Sequence, residues 1–219
     1  MFGKDKSNIL KGVAILLMMW HHCFLAGRYD GYEINFFPFS EGRVNNIAIS
    51  FKICVSLFAF VSGYGLFSSI KSYITRSLHD SGKGDLTSSK WIMERLCRTL
   101  SGFWFVVVLC WIILTLVDGR PAQVYGFSDS ALVGICNMVC DFFGVAHIFG
   151  TPKLIATWWY MSAAVSYIFF MPLIYKSFEK LGVIFTVAMV FIVPHLFVGF
   201  VSGTSILGFL PTFCVGALF

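Results

Sequence analysis

The segment LSGFWFVVVLCWIILTLV, residues 100–117, contains no charged side chain. A helix needs about 20 predominantly apolar residues to cross the roughly 30 Å hydrocarbon core of a bilayer. Backbone groups inside that core must be satisfied within the segment, which a helix achieves. Residues 100–117 therefore predict a transmembrane helix.

Apolar stretches of similar length recur along the rest of the chain. They occupy residues 9–26, 49–70, 155–175, 181–201 and 205–219. A seventh stretch, 131–149, is interrupted by Asn137, Asp141 and His147 and is rich in glycine. The pattern predicts an all-α, polytopic transmembrane helix bundle with about six spans and one re-entrant or interfacial segment at 131–149.

The overall composition agrees with lipid as the solvent. Hydrophobic residues make up 58% of the chain and charged residues 12%, whereas a soluble domain carries about 25% charged residues. The seven cysteines show no zinc or redox spacing, so neither a metal site nor a disulfide framework is predicted. The net charge of +5 is distributed as a topology signal rather than as a basic patch for nucleic acid.

The basic residues indicate the orientation of the chain. If 131–149 does not cross, one side holds eleven basic and five acidic residues, and the other holds five basic and six acidic. The positive-inside rule makes the first side cytoplasmic. We therefore expect a multi-pass membrane protein with its N-terminus in the cytoplasm.

One membrane domain is expected over residues 1–219. Residues 71–90 include the run Ser-Gly-Lys-Gly-Asp and little apolar surface, which predicts a mobile cytoplasmic loop. No polar or basic residue follows the last apolar stretch. The sequence is therefore expected to be the front part of a longer membrane domain whose last spans are missing.

Lys11 and His22 are the first candidate functional pair. Eleven helical steps separate them by about 16 Å along the axis and place them on nearly the same face. An ionisable residue within the membrane is a functional candidate, and a neutral imidazole can accept a proton near neutral pH. A hydrogen bond from His22 to a neighbouring helix is the structural alternative, and His21 is the weaker candidate because it points about 100° away.

Arg95 and Arg98 form the second pair, at the cytoplasmic start of the span at 100–117. Residues three apart share a helix face, so both guanidinium groups can contact one anion. Phosphates match the fork geometry of arginine. The alternative is that these arginines only anchor the inner end of the helix.

Ser62 and Gly63 lie in the span at 49–70. Small residues allow a partner helix to approach closely, and Ser62 can hydrogen-bond across such a contact. We therefore interpret the pair as a helix contact. A nucleophilic Ser62 would need a base beside it.

Trp158 and Trp159 open the span at 155–175 on the external side. An aromatic belt at the membrane surface accounts for them without any function. Stacking against a sugar ring of an acceptor is the functional alternative.

Taken in order, these motifs resemble membrane-bound acyltransferase family 3, which includes bacterial O-antigen and exopolysaccharide O-acetyltransferases. The resemblance covers almost the whole chain and depends on motif order. The motifs are Lys11 followed by ten residues and His22, Phe58-Ala-Phe-Val-Ser62-Gly63, Arg95-Leu-Cys-Arg98, Trp159-Tyr-Met-Ser with Tyr167 and Pro172-Leu-Ile, and Phe213-Cys-Val-Gly216.

The resemblance implies transfer of an acetyl or similar short acyl group from cytoplasmic acyl-CoA to a hydroxyl of a glycan on the opposite side of the membrane. It also implies that this membrane is the inner membrane of a bacterium. It implies that His22 is catalytic and that Lys11, Arg95 and Arg98 hold the phosphates of the donor. Acyl-CoA is then a substrate, with no permanently bound cofactor. The expected partners are the lipid bilayer, acyl-CoA and the glycan acceptor, with no nucleic acid.

Two other functions fit the same composition. A proton-coupled transporter or flippase could use Lys11 and His22 as a proton or anion pathway, although transporters often contain repeated halves and no repeat is visible here. An inactive, truncated membrane protein is the other alternative.

Overall fold

The computed structural model describes residues 3–27, 29, 31–81, 89–198 and 205–219, and these residues contain helices and no β-strand. The α-helices are α1 (Lys4–Phe24), α2 (Glu41–Ser50), α3 (Cys54–Ser81), α4 (Ser89–Asp118), α5 (Arg120–Tyr125), α6 (Ala131–Phe142), α7 (Trp159–Leu181), α8 (Val183–Val198) and α9 (Ile206–Gly216). Short 3₁₀ turns, Phe51–Ile53 and Ala156–Trp158, precede α3 and α7. The predicted all-α membrane bundle is confirmed.

The helices belong to two compact units. The first unit contains α1, α2, α3 as far as Ser68, α8, and α9 from Leu207. The second contains α3 from Ser69 onward, α4, α5, α6, and α7 as far as Lys180, together with Ile206. Each unit has its own buried residues.

Three helical segments in the described part of the chain are long and apolar enough to cross a membrane: Glu41–His79, Ser89–Asp118 and Ala156–Leu181. They contain the predicted spans at 49–70 and 100–117 and almost all of the one at 155–175. The span predicted at 9–26 corresponds to α1, which has 21 residues. Those predicted at 181–201 and 205–219 correspond to the shorter α8 and α9, with 16 and 11 residues.

The segment predicted as a cytoplasmic loop, 71–90, is helical at both ends. Helix α3 continues through Ser81, and α4 already begins at Ser89. The loop prediction was therefore wrong for 71–81 and 89–90, while residues 82–88 lie outside the described part of the chain. The physical reason is that neither glycine nor proline occurs between Gly65 and Gly82, so nothing in the sequence interrupts the helix.

The stretch at 131–149 contains a helix that is too short to cross a bilayer. Helix α6 has 12 residues, which corresponds to about 18 Å. The chain then turns at Gly144, whose φ of +68° is a left-handed conformation suited to glycine. This geometry is consistent with a segment that enters the membrane or lies at its surface without crossing it.

Helix α4 organises the second unit through one buried face. Leu100, Phe103 and Val107 are buried at helical spacing and pack with Val165 of α7. Their opposite face is apolar but exposed, as at Phe105, which is 71% accessible. A helix that buries one apolar face and exposes another is expected where lipid replaces water.

Candidate functional site

Helix α1 carries the predicted donor-side cation and the predicted catalytic base. Lys11 is exposed and His22 is half-buried. The two residues lie on one uninterrupted helix of 21 residues, so their axial separation remains about 16 Å. The structure thus places the Lys11 ammonium group and the His22 imidazole at different positions along the axis of one helix.

His21 and His22 have different surroundings although they are adjacent. The His21 ring donates from Nδ1 to the carbonyl oxygen of Ala48 in α2, at 2.6 Å. The ring centroids of the two histidines are 5.1 Å apart, with planes at 67°. A carbonyl oxygen only accepts hydrogen bonds, so this contact fixes the proton of His21 on Nδ1. His21 thus joins α1 to α2.

Two further hydrogen bonds hold the chain that continues beyond His22. The Ala26 N–H donates to Oδ1 of Asn45, at 2.8 Å. The Tyr29 hydroxyl donates to Oε1 of Glu41, at 3.1 Å. Because both acceptors belong to α2, the C-terminal end of α1 is fixed against that helix.

Gly63 lies where the backbones of α3 and α9 are in close contact. A Cβ built on Gly63 would overlap the carbonyl oxygen of Phe213 and lie 2.9 Å from its carbonyl carbon. The relation is reciprocal, because a Cβ on Gly216 would overlap the carbonyl oxygen of Phe60 and lie 2.7 Å from its carbonyl carbon. The neighbouring Ser62 is half-buried. The Ser62-Gly63 and Phe213-x-x-Gly216 motifs thus meet in one backbone contact.

Arg95 and Arg98, predicted to bind the donor, differ in exposure. Arg95 is half-buried and its Nη2 donates to Oγ of Ser69 in α3. The buried Trp91 donates from Nε1 to the same oxygen, at 3.1 Å. The Arg98 side chain is exposed one turn later. Of the two arginines, Arg95 is therefore the one whose side chain is oriented by a hydrogen bond to α3.

Trp158 and Trp159 are both half-buried, but they contact different residues. Trp158 packs edge-to-face on Phe103 of α4, with ring centroids 5.2 Å apart. The Trp159 ring lies 6.0 Å from the ring of His147. The His147 backbone N–H is held by Oγ of Ser162 in α7, at 3.2 Å. Trp158 therefore contributes to the core of the second unit, while Trp159 and His147 form a half-exposed aromatic pair.

Asp141 is a buried carboxylate that sequence reasoning did not select as a site residue. It is 1% exposed, and its Oδ2 accepts from the Tyr125 hydroxyl and from the Leu154 N–H, each at 2.8 Å. Trp111 in turn donates from Nε1 to the Tyr125 oxygen, at 3.0 Å. One carboxylate oxygen thus joins α5, α6 and the segment that leads to Trp158. The only signal in the sequence was a lone acidic residue within an apolar stretch.

The burial of this network alters its acid–base properties. Burial raises the pKa of Asp141, against the opposing effects of the Leu154 N–H, the Tyr125 hydroxyl and the charge of Lys153. Burial, with the neighbouring Asp141 carboxyl, also raises the pKa of Tyr125 well above its ordinary value, although the hydrogen bond from Trp111 lowers it. The hydroxyl therefore remains a donor, and Asp141 Oδ2 acts as the acceptor for both hydrogen bonds.

We expect Asp141→Leu to destabilise the protein by about 2 to 6 kcal/mol, because it leaves two buried donors without an acceptor. Asp141→Asn keeps an acceptor oxygen of similar size and is expected to stay within about 1 kcal/mol of the wild type. The measurement is thermal or denaturant unfolding of the purified variants in one detergent. Equal losses for the two substitutions would show that charge, rather than hydrogen-bond acceptance, holds this network.

The predicted site residues fall in both units. Lys11, His22, Ser62 and Gly63 belong to the first unit. Arg95, Arg98, Trp158 and Trp159 belong to the second. Within its own unit, each pair is placed on a helix or at a helix end.

Comparison with known proteins gives one result that bears on function. A family model described as an acyltransferase domain, acyltransferase family 3, matches residues 5–219. No curated protein matches the chain significantly, and no solved structure does. The family match covers nearly the whole sequence, including all the predicted site residues.

Proposed function

Because the chain belongs to acyltransferase family 3, we propose that it transfers an acetyl or similar short acyl group from cytoplasmic acyl-CoA to a hydroxyl of an extracytoplasmic glycan. The observation that carries this proposal is the family match over residues 5–219. Acyltransferase activity follows from membership of the family. The donor, the acceptor and the inner-membrane location belong to the proposal.

His22 is proposed as the general base. It accepts the proton of the acceptor hydroxyl, whose oxygen attacks the carbonyl carbon of the thioester. The carbon–sulfur bond then breaks, and the proton passes from the imidazolium to the departing CoA thiolate. The half-buried position of His22 supports this role, since the surrounding protein shields part of the imidazole from bulk water.

Lys11, Arg95 and Arg98 are proposed to bind the phosphates of acyl-CoA. Lys11 and Arg98 are exposed, and Arg95 is half-buried. The pantetheine arm separates the thioester of acyl-CoA from its phosphates. The offset between Lys11 and His22 along α1 suits a donor whose charged end and reacting end lie at different depths.

The proposal is tested with inside-out membrane vesicles from cells that express the full-length gene, supplied with acetyl-CoA labelled in the acetyl group. Label is expected to appear in host glycan, and vesicles without the gene product are the control. If intact, inserted protein transfers no label to glycan, the proposal is wrong. Substrate-dependent proton flux that needs no acyl-CoA would favour a transporter instead.

A further inference from the structure

Ser69 connects α3 to the Arg95 side chain through a hydrogen bond. Its Oγ accepts from two donors on α4, Nε1 of Trp91 at 3.1 Å and Nη2 of Arg95. Trp91 and Arg95 are four residues apart, so they lie on one face of α4. The result is a cluster of three polar side chains within the second unit.

The cluster orients one end of a guanidinium group and leaves most of its donors available. A serine oxygen has two acceptor positions, and Trp91 and Arg95 occupy both of them. Arginine carries five N–H donors in a rigid fork. Fixing one of these donors restricts the long side chain before a ligand arrives, while the others remain for an anion.

Trp91 fixes the serine in turn. Its side chain is 2% exposed, so it is held by packing on all sides. Its indole N–H is a donor only, and its hydrogen bond keeps the Ser69 hydroxyl oxygen directed toward α4. Arg95 therefore meets an acceptor that is itself held in place.

The two arginines of Arg95-Leu-Cys-Arg98 thus differ, although the motif is symmetric in sequence. Arg95 is half-buried and held by α3, whereas Arg98 is exposed on α4. We infer that Ser69, itself held by Trp91, is a positioning residue that orients the Arg95 guanidinium toward the phosphate groups of the donor. This inference rests on the proposed function, because that function supplies the acyl-CoA.

The test compares Ser69→Ala with Ser69→Thr, which keeps a hydroxyl group at the same position. For Ser69→Ala we expect the KM for acetyl-CoA to rise about tenfold, the size of one lost hydrogen bond to a charged group. The kcat and the KM for the glycan acceptor are expected to stay at wild-type values, and Ser69→Thr is expected to restore the donor KM. Selective weakening of donor binding separates positioning from a general loss of structure.

Ser166→Ala is the matched control, because Ser166 is a half-buried serine of the same unit whose Oγ donates to the carbonyl of Ser162 in its own helix, at 2.8 Å. It is expected to leave both KM values unchanged. If Ser69→Ala keeps the wild-type KM for acetyl-CoA, or raises both KM values equally, the inference is overturned.

Failure of the inference is distinguishable from failure of the proposed function. If the wild type transfers no acyl group, the proposed function fails, and the Kd for CoA of purified protein then decides the inference. A Kd raised about tenfold in Ser69→Ala and restored in Ser69→Thr supports positioning of an anion-binding arginine. Equal Kd values in wild type and Ser69→Ala overturn it.

Discussion

Replacing His22 with alanine is expected to lower the rate of acyl transfer at least about a hundredfold. General base catalysis contributes roughly 10²- to 10⁴-fold, and the proposed reaction assigns the base to this imidazole. The effect should fall mainly on kcat, since the proposed reaction places His22 at the reacting hydroxyl rather than at the phosphates of the donor. The measurement is label transfer from acetyl-CoA in vesicles that contain equal amounts of inserted protein.

His21→Ala provides the matched control for this prediction. It removes a neighbouring histidine, together with the hydrogen bond from His21 to the Ala48 carbonyl. We expect a loss of about 1 kcal/mol in stability and a kcat close to that of the wild type. If the His22 variant keeps wild-type activity, or if the His21 variant loses as much kcat as the His22 variant, His22 is not the base.

The sequence predicted best what depends on short distances along the chain. Residues 100–117 indicated a membrane helix from their own composition, and α4 contains all of them. The spacing of Lys11 and His22 determined their relation because one helix carries both. The sequence-based prediction ended the helix at residue 70, whereas α3 continues to Ser81. The polar composition of 71–81 indicated a loop, although these residues include no glycine or proline that would break a helix.

Contacts between distant segments could not be predicted in the same way. Asp141 gains its partners from Tyr125, 16 residues earlier, and from Leu154, 13 residues later. Ser69 lies 26 residues before Arg95. None of these three separations lies within a single helix, so the sequence offered no reason to pair these residues. The distinct environments of Arg95 and Arg98 arise from such a contact.

Gly63→Ala is expected to destabilise the first unit strongly, by about 3 kcal/mol or more. The added methyl group would overlap the Phe213 carbonyl oxygen, and overpacking of a side chain against side chains already costs about 1 to 3 kcal/mol. Here the obstacle is backbone, so the two helices must move apart and lose the close contact that small residues allow. Thermal unfolding in detergent, together with the amount of protein inserted in membranes, measures the loss.

Gly65→Ala controls for glycine itself, because a Cβ at Gly65 meets nothing within 4 Å. Helical glycine is less favourable than alanine by roughly 0.5 to 1 kcal/mol, so this variant should be as stable as the wild type or slightly more stable.

Gly216→Ala should resemble Gly63→Ala, since its methyl group would overlap the Phe60 carbonyl oxygen. The variant that carries both Gly63→Ala and Gly216→Ala should lose less stability than the sum of the two single losses. The reason is that either substitution alone already separates α3 from α9. If Gly63→Ala is as stable as Gly65→Ala, α3 and α9 do not make this contact in the membrane.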